Sequence, residues 1–151
     1  MGWLARLFGS ADTRDVLTDL VEDYRAEAAQ AAHLRAQAER ARYPQMATAL
    51  RRLADIEDRH AAWLRDRVAS LGGHVPVLDV APLGGANPWQ RAVAALHDAQ
   101  AKRRRLVEQI ARWDPDEPDV VALLRRIEEE DAREFSVYDG IVMRSDPQAV
   151  D

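Results

Sequence analysis

The sequence predicts an all-α protein: a four-helix bundle of two helical hairpins joined by one long crossover. Three observations carry this. Ala, Leu, Arg, Glu and Gln dominate a chain of 151 residues that holds only 7 Gly and 7 Pro, and these residues favour helices. Apolar residues recur at alternating three- and four-residue steps over long stretches, the period of one helix face. Proline and glycine fall at a few separated places, where they punctuate rather than fill the chain.

The elements follow in order. Residues 1–11 form a short N-terminal segment in which Trp3, Leu4, Leu7 and Phe8 share one side before Gly9-Ser10 breaks it. That apolar side either caps the bundle or docks on a partner or a membrane surface. Residues 12–144 form the bundle. Helix 1 is expected from about Thr13 to Arg42, capped by Asp12 or Thr13. Pro44 opens helix 2, which ends at Gly72-Gly73. Residues 72–88 form the crossover. Asn87 caps helix 3, with Pro88 at its first position, and the helix reaches Trp113. Asp114-Pro-Asp-Glu-Pro118 is the next turn. Helix 4 then runs from about Asp119 to Arg144, and residues 145–151 are a flexible tail.

Composition excludes several functions. Net charge is −5, so nothing favours nucleic-acid binding. The run Lys102-Arg-Arg-Arg105 winds around a helix and reads as a solvated face rather than a phosphate site. There is no cysteine, which removes disulfides, thiolate metal sites and Cys nucleophiles. No apolar run reaches the about 18 residues that a membrane span requires, and the N-terminus does not read as a secretory signal, so the expected location is the cytoplasm.

The apolar stripes are interrupted by polar residues. Helix 1 reads Leu17, Leu20, Tyr24, Glu27, Ala31, Leu34 and Ala38. Helix 2 carries Glu57 and His60 between Leu53 and Leu64. Helix 4 carries Asp131 and Glu134 between Ile127 and Tyr138. Helix 3 is less regular, and Trp89, Val93, Leu96, Gln100, Arg103, Val107 and Ile110 fit best, with His97 beside them. Glu27 stands 17 residues before Pro44 and Glu57 stands 13 after it. An antiparallel hairpin therefore brings them to within about one turn in height, at roughly 1.5 Å per residue. The halves also resemble each other. A shift of 74 residues lays Pro44 on Pro118, Glu57 on Asp131 and His60 on Glu134.

Several carboxylates in one core layer repel one another and are costly to desolvate. A cation neutralises them. It is either a metal ion, for which oxygens plus an imidazole suit iron or manganese, with zinc a further fit, or an inward arginine such as Arg103 or Arg104.

Tyr24-Arg-Ala-Glu27, Ala38-Glu-Arg-Ala41, Ile56-Glu-Asp-Arg-His-Ala-Ala-Trp-Leu64 and Leu71-Gly-Gly73 resemble the ferritin-like superfamily, especially the rubrerythrin-like di-iron carboxylate proteins. The resemblance spans about residues 13–144. The 30-residue step from Glu27 to Glu57 also resembles the encapsulated ferritins, single hairpins that complete their site across a dimer. The resemblance implies one or two iron ions reacting with oxygen or peroxide, in iron handling or peroxide defence. It implies Glu27, Glu57 and His60 as ligands, with Asp131 and Glu134 in place of a second Glu-x-x-His. The helix 3 glutamate of the family is missing, since the 74-residue shift places Ala101 there, and Gln100 or His97 stands nearby. Without cysteine, the chain cannot carry the rubredoxin-type centre through which rubrerythrins receive electrons, so a peroxidase would need an external reductant. The rival reading is a non-enzymatic ferritin-like scaffold or interaction module, in which arginines pair with the acids. A homodimer is compatible with both.

Overall fold

The computed structural model describes the backbone of residues 4–150 and the side chains of residues 16–150. The side-chain face from Trp3 to Phe8 lies outside the described residues, and the expected caps Asp12 and Thr13 stand inside the first helix, which begins at Leu4, so they do not cap it. The described residues form four helices: α1 (Leu4–Arg40), α2 (Pro44–Ser70), α3 (Pro88–Trp113) and α4 (Pro118–Arg144). Three of the four start and stop within a residue or so of expectation. The exception is α1, which continues through Gly9 and Ser10 where a break was expected. A single helical glycine costs only about 1 kcal/mol, which the adjoining turns of one long helix can absorb.

The helix ends show why punctuation was readable. After α2, Gly73 N–H donates to Val68 O at 2.9 Å and Gly72 N–H donates to Ala69 O at 3.0 Å. This pair of bonds is the Schellman closure, and it requires Gly72 at φ +83°, which suits glycine alone. Gly73 is needed for room: a Cβ there would meet Leu17 Cδ2 at 2.8 Å. At α3, Asn87 Oδ1 accepts from Gln90 N–H at 2.9 Å, with Pro88 in the first turn, as the sequence predicts.

α1 packs on α2 and α3 on α4, and the two pairs join through α1–α3 and α2–α4. The crossover rides along α1. Gly73 abuts Leu17, and farther on the half-buried His33 donates from Nε2 to Ala81 O at 2.7 Å.

The core falls into two apolar blocks. One gathers Leu20, Leu64, Leu106, Leu124 and Ile127. The other gathers Leu34, Leu50, Leu53, Tyr138, Ile141 and the alanines of α3. Between them lie Glu27, Glu57, His60 and Lys102, all fully or nearly fully buried, with Asp131 beside them.

The buried face of α3 differs from expectation. It runs Ala92, Ala95, Ala99, Lys102, Leu106, Gln109 and Trp113, about one residue out of step with the predicted stripe. Val107 and Arg103 face solvent. The larger apolar side chains suggested one face. The helix instead turns its small residues inward and places Lys102 and Gln109 opposite acids on α1. A polar seam results: Asp19 accepts from Trp113 Nε1 at 2.9 Å, Asp23 from Arg105 Nε at 3.0 Å and Gln109 Nε2 at 3.1 Å, and Glu27 from Lys102.

Candidate functional site

Each helix contributes to the central layer. α1 supplies Glu27, α2 supplies Glu57 and His60, α3 supplies Lys102 and α4 supplies Asp131. The Glu-x-x-His spacing puts Glu57 and His60 one turn apart on the same face. Tyr138, two turns beyond Asp131, donates its hydroxyl to Glu57 Oε1 at 2.8 Å. Gln30 in turn donates to the Tyr138 oxygen at 3.2 Å and to Ala95 O at 3.2 Å. Tyr138 is thus a packed core residue with a bonded hydroxyl.

One donor atom from each of Glu27, Glu57, His60 and Asp131 lies within 4.8 Å of all the others. His60 Nδ1 stands 3.5 Å from Asp131 Oδ1, 3.7 Å from Glu27 Oε2 and 4.0 Å from Glu57 Oε2. Ligands about 2.0–2.2 Å from a tetrahedral ion are separated by roughly 3.3–3.6 Å. This buried acid and histidine cluster could therefore hold a metal ion. The four-helix arrangement around it is compatible with a ferritin-like bundle.

The same oxygens already have a cation. Lys102, 4% exposed, donates its ammonium to Glu27 Oε2 at 2.9 Å and, more closely still, to Glu57 Oε2. It stands 3.5 Å from Asp131 Oδ2. A metal bound through Glu27 Oε2 and Glu57 Oε2 would meet that ammonium at the shared atoms. The donor spacing fits a metal, but the donor set with Lys102 in place does not.

The remaining predicted residues do not join the cluster. Glu134 reaches outward and pairs with Arg52 at 2.8 Å, tying α4 to α2 near the surface. His97 is exposed and Gln100 half-buried, because α3 is rotated away from the predicted stripe. Arg103 and Arg104, offered as neutralising arginines, are exposed, and Arg103 pairs with Glu128 at 2.8 Å. The neutralising cation is the neighbouring lysine. Its signal was present: Lys102 continues the three- and four-residue steps from Ala92, Ala95 and Ala99 to Leu106. Glu130 was also missed. It precedes Asp131 on α4, yet its Oε2 accepts from His60 Nε2 at 2.9 Å and from Arg59 at 2.7 Å. Outside His60, Trp63 lies under the Arg126 guanidinium at 3.9 Å, which covers that side of the layer.

Electrostatics follow from these contacts. Burial pushes the Lys102 ammonium towards neutrality, but the charges of Glu27, Glu57 and Asp131 overcome it and hold the pKa well above the usual value. Burial also raises Glu57, yet the Lys102 charge and hydrogen bonds from Glu27, Lys102 and Tyr138 bring it down to about 2. Burial raises Glu27 far above the ordinary range, against the pull of Lys102 and aided by the charge of Glu57. Burial lifts Asp131 to about 7, against Lys102 and with Glu57 adding to the rise. Burial lowers His60, outweighing its bond to Glu130, so the imidazole is neutral with its proton on Nε2. Glu130 is pulled down chiefly by hydrogen bonds from Arg59 and His60, which exceed its own desolvation.

The layer thereby moves towards charge balance: the Lys102 ammonium faces the ionised Glu57, while burial favours the protonated forms of Glu27 and Asp131. Glu27 Oε1 and Asp131 Oδ2 are buried without a hydrogen-bond partner.

A pH dependence follows. Asp131 (about 7) and Asp23 (raised to about 6 by burial, against Arg105) bind protons more tightly folded than unfolded, where the ordinary value is 3.8. Between pH 4 and pH 7 the native state therefore holds more protons, and stability falls as pH rises, by about 1.4 kcal/mol per pH unit per fully titrating group. His60, with its pKa lowered, acts oppositely but is one group against these acids. The melting temperature should drop from pH 5 to pH 7.5, and Asp131→Asn should flatten the drop. A melting temperature that climbs across this window would contradict the assignment.

Among the described residues no helix is long and apolar enough to cross a membrane. No family model matches the sequence, and no curated protein is significantly similar to it.

Proposed function

We propose that this chain is a non-catalytic ferritin-like bundle, a binding or scaffold module in which Lys102 takes the role that a metal ion has in di-iron relatives. The observation that carries this is the Lys102 ammonium seated on the oxygens of Glu27 and Glu57. A layer near charge balance leaves little for a divalent ion to neutralise. A divalent ion would have to expel a fully buried ammonium and strip protons from Glu27 and Asp131. Both steps weaken its binding.

A second reading has its own support. His60 Nδ1 is buried without a partner, while Nε2 is fixed by the Glu130 carboxylate, as outer carboxylates orient metal-binding imidazoles. On this reading Glu27, Glu57, His60 and Asp131 bind iron, with manganese or zinc as substitutes. The bound iron would be oxidised by oxygen or peroxide, and Lys102 would withdraw.

Anaerobic titration with ferrous iron separates the two. The wild type should bind less than a tenth of an equivalent, with an unchanged melting temperature, whereas Lys102→Met should gain stoichiometric binding. Wild-type uptake of one or two irons, lost in Glu57→Ala/His60→Ala, would overturn the metal-independent reading.

A further inference from the structure

A cavity of about 500 Å³ opens at the end of the bundle where α1 meets α2 and where α3 begins and α4 ends. It is remote from Lys102 and independent of the reading given to that layer. Its size is in the range of small-molecule sites, about 300–1,000 Å³.

The floor is apolar. Leu50 and Ile141 belong to the second core block, and Met46 and Ala41 flank it. Four arginines line the cavity: Arg40, Arg42, Arg91 and Arg144. Asp146 is the one acid among the described residues that line it. This cationic grouping stands out in a chain of net charge −5. Arg91 is 4% exposed and is braced by a bond from Nη1 to Gly85 O at 3.4 Å.

Gln37 supplies an independent indication. It lines the cavity, is 8% exposed, and its Nε2 is buried without a hydrogen-bond partner. An amide donor left unsatisfied in a buried site is destabilising. An acceptor brought in by a ligand would relieve this. The C-terminal segment forms one wall through Ser145, Ala149 and Val150, held where Asn87 Nδ2 donates to Pro147 O at 3.2 Å.

We infer that this cavity binds an amphipathic anion, a carboxylate or phosphate head on a single apolar chain. The head accepts from Gln37 Nε2 and meets Arg42 and Arg144, whose planar forks suit both oxyanions. The chain lies over Met46, Leu50 and Ile141, where it buries apolar surface.

Calorimetric titration of the full chain with decanoate, decyl phosphate and decylamine tests this, with the side-chain amide of Gln37 followed by NMR. One equivalent of decanoate or decyl phosphate should bind and shift the Gln37 amide, and the preferred head identifies the oxyanion. Decylamine should bind at least tenfold more weakly. Arg144→Glu and Arg42→Glu, both at exposed positions where folding is not at stake, should each weaken the anions about tenfold. Equal binding of decylamine, absence of saturable anion binding at millimolar concentration, or affinity unchanged in both variants would overturn the assignment.

Discussion

Lys102→Met should lose about 3–5 kcal/mol of unfolding free energy, the usual cost of removing one partner from a buried ion pair. Lys102 is the one ammonium in the layer, and Glu57 beside it has the lowest carboxyl pKa there, about 2. Without the lysine, that carboxylate must stay charged and unpaired or take up a proton at neutral pH. Either course costs free energy. Small domains have roughly 5–15 kcal/mol in total, so the variant should unfold at a much lower urea concentration at pH 7.5. The loss should shrink at pH 5, where protonation relieves the remaining acids. A loss below about 1 kcal/mol at pH 7.5 would mean that Lys102 is not seated as described.

Replacing the whole layer should have the opposite outcome. The combination Glu27→Leu, Glu57→Leu, Lys102→Met, Asp131→Leu and Tyr138→Phe removes the pair, its neighbouring acids and the hydroxyl that would lose its acceptor. Buried ion pairs recover little beyond their desolvation cost, and apolar replacements are often neutral or more stable by about 1–4 kcal/mol. The five-fold variant should therefore match or exceed the wild type in urea unfolding, although Lys102→Met alone is severely damaged. A five-fold variant more than about 2 kcal/mol less stable than the wild type would show that the layer contributes net stability. The contrast between the two variants is the sharpest measure of coupling within the layer.

The fold was largely legible because helix ends depend on local chemistry. Pro44, Asn87-Pro88 and Gly72-Gly73 act within a few residues of themselves, so their effect could be read without a partner. The faces of α1, α2 and α4 were legible because their apolar residues are large and regularly spaced. Glu27, Glu57, His60 and Asp131 stood out as interruptions of those stripes. The face of α3 was obscure for the converse reason. Its inward residues are alanines, which signal little, and a lysine, which ordinarily marks the surface. Only the acids on α1, α2 and α4 make that lysine an interior residue, and its place in the spacing of Ala92, Ala95, Ala99 and Leu106 is a weak local sign of it. Glu134 was misplaced because the 74-residue correspondence holds for backbone height but not for what the side chain meets. His60 turns in to the acids, and Glu134 turns out to Arg52.

The division of the core into two apolar blocks by a charged layer bears on how the helices find their alignment. Leucine and alanine stripes are nearly self-similar under a slide of one turn, about 5.4 Å, so greasy packing alone distinguishes poorly between neighbouring alignments. A single ammonium that must land among three acids does not tolerate such a slide. The layer therefore works as a notch and pin, rejecting frame-shifted bundles even where it adds nothing to the depth of the native well.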